Sequence, residues 1–336
     1  MCNVRVTLGM VLLLSTAIIV FLHEWLRFTY LWEHTALSDA VRSHRRRTCT
    51  VPTYMPGSNV SAPLAGKDLR IGLLMMYDQT DNLTKAWSTD LLQPLIRNRE
   101  QYCKRHGYEL LDVNHLLDTS RGASWSKLLA LEHHFKAGFD YLLYMDMDVI
   151  IMNPEVSLER FIDASRRSFD VLLTEDDNGM NAGVFLMRNS EWSLWFLRTA
   201  WEQTQLVPAT NPQGKPYPFR WEQRAFHYMT HSKVWQQSGL AAYPGDYMDV
   251  RKHFFSLPQC AFNSYILHPF DLSDRWDDAR YAPGDFLIHF AGKRGDSKQQ
   301  LMTYFMQQLT RLEDAEGRRE EAAIRVPAGA AKLLRH

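Results

Sequence analysis

Tyr141–Pro154 reads YLLYMDMDVIIMNP, an apolar run interrupted by two aspartates, Asp146 and Asp148. Bracketed by Tyr-Leu-Leu-Tyr and Val-Ile-Ile-Met, the run has the length and β-branched content of a buried strand. Residues i and i+2 of an extended chain point to the same side, so a strand continuing through the motif would project both carboxylates together. Two buried carboxylates this close repel one another, which raises a pKa or demands a cation. An EF-hand is excluded, because its third ligand position and its glycine are missing.

Working outward, LRIGLLMMY (69–77) and YELLDV (108–113) are further short strands. LLQPLIRNREQYCKRHG (91–107) and SWSKLLALEHHFKAG (124–138) have helical spacing and end on glycines. Strand, helix, strand, helix, strand implies an α/β fold with a Rossmann-like, mostly parallel sheet flanked by helices. Asp146 and Asp148 then lie at the C-terminal end of the third strand, where open α/β sheets bind ligands. Beyond Pro154 come a short helix, FDVLLTE, AGVFLMR and a helix from about Ser190 to Gln203. A Pro-rich loop (207–219), a helix around WEQRAFHYMT, SYILHPF, FLIHFAG and a charged helix from Ser297 to about Glu321 follow.

The 336 residues carry 38 basic and 38 acidic side chains, so no basic excess points to nucleic acid. Residues 6–22, VTLGMVLLLSTAIIVFL, are uncharged and read as a transmembrane signal anchor, after a cytoplasmic tail at 1–5. The rival, a cleaved signal peptide, lacks a small-residue cleavage site. Residues 23–68, rich in Pro, Ser and Gly towards their end, read as a stem. Sequons at Asn59 and Asn82 suit a lumenal domain. Cys49, Cys103 and Cys260 follow the anchor; they allow one bridge, with no pairing assigned, and no spacing for zinc.

The hard oxygen ligands of the D-x-D pair suit Mn²⁺ or Mg²⁺, which keep open positions for phosphate oxygens. YLLYMDMDVIIMNP, NGMNAGVFLMRNSEWS (178–193), EQRAFHYM (222–229), CAFNSY (260–265) and GDFLIHFAG (284–292) occur in the order of the blocks of one glycosyltransferase family. The resemblance, from about Ile71 to Gly292, is to the family of fungal Golgi α-1,2-galactosyltransferases, α-1,6-mannosyltransferase complex subunits and plant xyloglucan xylosyltransferases. It implies a GT-A catalytic domain at 69–312 with a C-terminal tail at 313–336. It also implies a type II Golgi membrane protein with a lumenal catalytic domain, a nucleotide-sugar donor (UDP-galactose, UDP-xylose or GDP-mannose), a glycan or glycoprotein acceptor, and retaining, Mn²⁺-dependent transfer. Homo- or hetero-oligomers are compatible with it.

By resemblance, Asp146, Asp148 and His289 hold the metal. Asp146, Lys127, Asn181, Gly292, Lys293 and Arg294 bind the donor, and Asp177, Glu222 and Gln223 line the reacting sugar. Most have a plainer alternative: a chance D-x-D in a solvated turn for Asp146 and Asp148, a solvated helix lysine for Lys127, a satisfied core histidine for His289, an Asx/Gly turn for Asp177 and Asn181, a basic surface turn for Lys293 and Arg294, and a first-turn helix acid for Glu222. Relatives have Cys where this chain has Lys293, so either Lys293 or Arg294 would meet the diphosphate. Trp192, Trp195 and Trp201 read as core. The rival functions are a non-catalytic subunit of a glycosyltransferase complex and a D-x-D phosphatase or phosphotransferase. Ile150 and the late position of the motif argue against the phosphatase.

Overall fold

The computed structural model describes residues 49, 69–77, 89–165, 169–176, 179–207, 222–231, 250–266, 279–293 and 295–324, the last 13 of these for backbone only. The anchor segment 6–22, the sequons, Asp177 and Arg294 lie outside these residues. Among the described residues, no helix is long and apolar enough to cross a membrane.

Three strands form as their apolar runs predict: β1 (Ile71–Met75), β2 (Glu109–Asp112) and β3 (Tyr141–Met145). They pair in parallel, with β1 between the other two. Helix α1 (Thr89–His106) links β1 to β2, and α2 (Ser126–Lys136) links β2 to β3. Gly107 and Gly138, with φ of 73° and 89°, follow the two helices in the left-handed region that glycine enters without a Cβ penalty.

The chain then departs from the parallel pattern. After β4 (Val149–Ile151) and the short α3 (Leu158–Ala164), β5 (Val171–Asp176) and β6 (Gly179–Arg188) form an antiparallel pair, and β6 docks antiparallel on β3. α4 (Glu191–Trp201) and α5 (Gln223–His231) precede β7 (Phe254–Leu257), which runs parallel to β5. The main sheet therefore has the order β2-β1-β3-β6-β5-β7, with three parallel and two antiparallel pairings. A second sheet, β4-β9-β8, is built from β4, β8 (Ser264–Tyr265, after the short α6 at Gln259–Phe262) and β9 (Leu287–His289). The last helix, α7 (Gly295–Ile324), runs past residue 312, the boundary expected for the catalytic domain.

Alternation along β3 assigns its side chains to two cores. Leu142 and Tyr144 pack with Trp125, Leu128, Phe196 and Phe226 on the face covered by α2, α4 and α5. Tyr141, Leu143 and Met145 pack with Tyr102, Phe161, Phe262 and Phe286 on the other face. Trp192 is buried and stacks on His253 at 4.1 Å, while Trp195 and Trp201 pack partly buried against the same cluster, which bears out their reading as core. A third cluster, with Met75, Leu95, Met147, Ile150, Ile288, Met302 and Phe305, fills the space between the small sheet, α1 and α7.

Candidate metal centre

The D-x-D motif is not part of a continuous strand. β3 ends at Met145, Asp146–Asp148 form a turn, and β4 begins at Val149 in the other sheet. The expectation that an extended chain aims both carboxylates is therefore corrected: the turn brings them together. Three elements hold this turn. The Asp146 amide donates to Gly183 O on β6 (2.7 Å), and the Phe290 amide after β9 donates to Asp148 O (3.0 Å). From beneath, the wholly buried Arg99 of α1 donates through Nη2 to the carbonyls of Asp146 (2.9 Å) and Val149 (3.2 Å). Burial draws the guanidinium pKa down to about 10, which leaves it charged at neutral pH. Its neighbour Asn98 exchanges two hydrogen bonds with the Ile151 backbone and so imitates a strand partner for β4.

Register brings in the third candidate ligand. Val149 pairs with His289 across β4 and β9, which sets the histidine beside Asp148 despite its distance in sequence. Asp146, Asp148 and His289 each present a ligand atom, all within 4.8 Å of one another. His289 Nδ1 meets Asn263 Oδ1 at 3.0 Å, and Nε2 lies 3.5 Å from Asp148 Oδ1. A ligating histidine whose other nitrogen is fixed by a hydrogen bond has its orientation set in advance.

The carboxylates are each divided in the same way. Asp146 Oδ1 accepts from Tyr144 Oη (2.9 Å) and lies 3.5 Å from Lys127 Nζ, leaving Oδ2 on the side of Gly183. Asp148 Oδ2 meets Lys298 Nζ of α7, leaving Oδ1 towards His289. Burial pushes the Asp148 carboxyl up, but His289 and Lys298 outweigh it and hold its pKa well below the usual carboxylate range. A Cβ on Gly183 would stand 2.6 Å from His289 Cε1 and 2.8 Å from Asp146 Oδ2. The glycine thus keeps open the space between two of the three ligand groups. Two carboxylate oxygens, one imidazole nitrogen and this cradle fit a divalent ion such as Mn²⁺ or Mg²⁺.

Lys127 is neither solvated nor free. Its side chain is 1% exposed, and Nζ reaches Glu222 Oε1 (2.6 Å), Ala182 O (3.0 Å) and the face of Tyr144 (4.1 Å from the centroid). Desolvation alone would lower its pKa; Asp146 and Glu222 outweigh that and raise it. Glu222 is buried in this pair, one position before α5 begins. Gln223 Oε1 accepts from the Ala182 amide at 2.9 Å. Asn181 is buried: its Oδ1 accepts from Gly183 N (3.0 Å) and Asn263 Nδ2 (3.1 Å). Tyr265 stands edge-on to His289 at 5.5 Å and donates to Asp176 Oδ2 at 2.8 Å. Lys293 is half-buried after Gly292 (φ 72°), and burial draws its pKa down.

Expected site residues Lys127, Asp146, Asp148, Asn181, Glu222, Gln223 and His289 therefore belong to one connected cluster. Lys293 follows it at the Gly292 turn, and Asp177 and Arg294 lie outside the described residues. Sequence reasoning missed Arg99, Asn263, Tyr265 and Lys298.

The model of the galactosyl transferase GMA12/MNN10 family matches residues 67–166 and 160–300. The chain is 27% identical over 290 residues to the Saccharomyces cerevisiae protein named "Probable alpha-1,6-mannosyltransferase MNN10", covering 72% of this chain and 66% of that protein. It is 26% identical over 240 residues to a Schizosaccharomyces pombe alpha-1,2-galactosyltransferase, covering 60% and 56%. It is 35% identical over 112 residues to an Oryza sativa protein named "Probable xyloglucan 6-xylosyltransferase 1", covering 31% and 25%. The chain thus spans between a quarter and about two thirds of the length of these relatives. Among solved structures, a glycosyltransferase involved in glycosylation of the major capsid of PBCV-1 aligns over 70% of this chain and 99% of that one, at 14% identity and a TM-score of 0.44. With both stretches of the family model matched across the two sheets and the Asp-Asp-His cluster, the chain belongs to the galactosyl transferase GMA12/MNN10 family of glycosyltransferases.

Proposed function

We propose that this protein is a retaining, metal-dependent glycosyltransferase with a GT-A fold. It moves a hexose or pentose from UDP-galactose, UDP-xylose or GDP-mannose to a glycan acceptor in the Golgi lumen, held there by the 6–22 anchor. The observation that carries this reading is the convergence of Asp146, Asp148 and His289 from two sheets in a chain of this family. The disulfide between Cys49 and Cys260 supports an oxidising, lumenal setting.

The metal, when bound, supplies Lewis-acid neutralisation of charge on the leaving diphosphate. The chain's own residues do the rest. Lys127 fixes Asp146 and Glu222 in place, and Asn263 fixes the His289 ring. Lys293 or Arg294 offsets negative charge as the sugar's glycosidic bond to phosphate breaks. The anomeric carbon becomes oxocarbenium-like, and the acceptor hydroxyl attacks from the face the diphosphate leaves, passing its proton to a departing phosphate oxygen, which gives retention. Gln223, with its oxygen held by Ala182 N, keeps its two amide N–H donors for the sugar. Glu222, ion-paired to Lys127, serves as a positioning residue, and Asp177 remains the proposed carboxylate beside the reacting carbon.

The test is nucleoside diphosphate release by the purified full-length chain with Mn²⁺, each donor being offered in turn with glycan acceptors. One donor should turn over, and Asp148→Ala should abolish that turnover, a loss of at least several kcal/mol of barrier stabilisation. Near-normal turnover by Asp148→Ala would overturn the metal assignment. Silence with every donor and acceptor would favour a non-catalytic subunit, and hydrolysis of simple phosphate esters a phosphatase.

A further inference from the structure

Lys298 is a cation at the metal centre that the family motifs do not include. It lies in the first turn of α7, beyond the GDFLIHFAG block, and its ammonium meets Asp148 Oδ2. It differs from the other lysine of the cluster in one respect. Lys127 has a side chain 1% exposed and meets Asp146, Glu222, Ala182 O and the Tyr144 ring. The Lys298 side chain is 23% exposed, so solvent reaches part of it while its ammonium meets the buried carboxylate. An ammonium has three N–H donors; Asp148 engages one of them.

The divided carboxylate lets ion and ammonium coexist. Asp148 Oδ1 is turned to His289 and Oδ2 to Lys298, so a metal on Oδ1 leaves the lysine in place. Charge gives this arrangement a purpose. Asp146, Asp148 and Glu222 are matched by the cations Lys127, Arg99 and Lys298. Lys127 and Arg99 are wholly buried, and Lys298 is the one of the three whose side chain is in part exposed. A diphosphate is a polyanion, and an ammonium on the same carboxylate that would hold the ion is a group that attracts it.

The geometry points to Lys298 as a donor-binding residue that would share Asp148 with the metal and give its spare N–H donors to the diphosphate. This rests on the nucleotide-sugar reading above and adds a diphosphate contact from α7 to those expected from Lys293 or Arg294.

The test is binding rather than turnover. Metal-stripped full-length protein and its Lys298→Met and Lys298→Arg variants are titrated with Mn²⁺, followed by electron paramagnetic resonance. With saturating Mn²⁺ they are then titrated calorimetrically with UDP, UMP, GDP and GMP. In the wild type the preferred diphosphate should bind more tightly than its monophosphate. Lys298→Met should still bind Mn²⁺, lose about tenfold or more of its diphosphate affinity, and change little towards the monophosphate; Lys298→Arg should restore most of the loss. An unchanged diphosphate-to-monophosphate ratio in Lys298→Met would overturn the inference, whether both affinities fall or neither does. So would complete loss of Mn²⁺ binding, since Lys298 would then act through Asp148 alone. If the wild type itself binds neither UDP nor GDP with Mn²⁺, the nucleotide-sugar reading fails and this inference falls with it.

Discussion

Lys127 Nζ lies 2.6 Å from Glu222 Oε1, and both side chains are almost wholly out of water, at 1% and 3% exposure. A pair this deep is sensitive to the loss of one member. Lys127→Met leaves Glu222 and Asp146 without their shared cation, and removing one partner of a buried pair costs about 3–5 kcal/mol. Urea denaturation should show a loss of that size for Lys127→Met and a smaller one for Lys127→Met combined with Glu222→Gln. A single-variant loss under about 1 kcal/mol would mean that the pair is water-screened in solution.

Gly183 tests the metal centre without touching a ligand. Its Cβ would overlap His289 Cε1 and crowd Asp146 Oδ2, so Gly183→Ala should push both groups outward. Mn²⁺ affinity should fall by about tenfold or more, equivalent to about 1.4 kcal/mol, while circular dichroism stays native. Affinity within twofold of wild type would argue that the two groups do not bind one ion.

The cysteines give a chemical prediction. Cys49 and Cys260 are bridged with a Cα–Cα distance of 5.4 Å, across a sequence separation of 211. Cys103 is buried and free, and burial pushes its thiol up to about 12. A non-reducing peptide map should recover the Cys49–Cys260 link, and Cys103 should resist alkylation until the protein unfolds. Cys49→Ser should cost about 2–5 kcal/mol, typical for a native bridge. Rapid labelling of Cys103 in the native protein would contradict its burial.

Asp170 should contribute to acid sensitivity. Burial pushes its carboxyl up, but Ser190 Oγ (2.6 Å), His253 Nδ1 (2.6 Å) and Arg188 Nη2 (2.7 Å) outweigh this and lower its pKa. A depressed folded pKa means that the stabilisation is complete above the unfolded value, about 3.9, and is lost as pH falls through the folded one. Unfolding free energy should therefore drop below about pH 4. Asp170→Asn should be less stable at neutral pH and show a shallower acid limb. An acid limb unchanged by that substitution would show that Asp170 is not among the carboxylates responsible.

The parallel half of the sheet was legible because β1, β2 and β3 are short apolar runs between helices stopped by Gly107 and Gly138. The antiparallel return of β6 onto β3 was not, since FDVLLTE and AGVFLMR carry no mark of direction. The motif was readable; the turn that shapes it was not, because the turn is imposed by Arg99, Gly183 and Phe290 from three other segments. The missed cations did leave a trace. Arg99 falls in register with buried Leu92, Leu95 and Tyr102, and Lys298 with Leu301, Met302 and Phe305. Lys127 sits one turn before Leu131 in the same way. A basic residue on the apolar stripe of a helix is dearly buried without a partner, so its position is evidence of a nearby anion. Asn263 and Tyr265 carry no such signal, because their roles follow from the pairing of β8 with β9.

The three ligand groups do not belong to one sheet. Asp146 follows the end of β3 in the larger sheet, whereas Asp148 and His289 stand at β4 and β9 of the smaller. An ion bound by all three would be a clasp across the seam between them. Linkage makes the relation reciprocal: whatever the ion gains from a closed seam, the closed seam gains from the ion. The small sheet would thereby sense occupancy, and amides of β8 and β9 should exchange with solvent more slowly when Mn²⁺ is present.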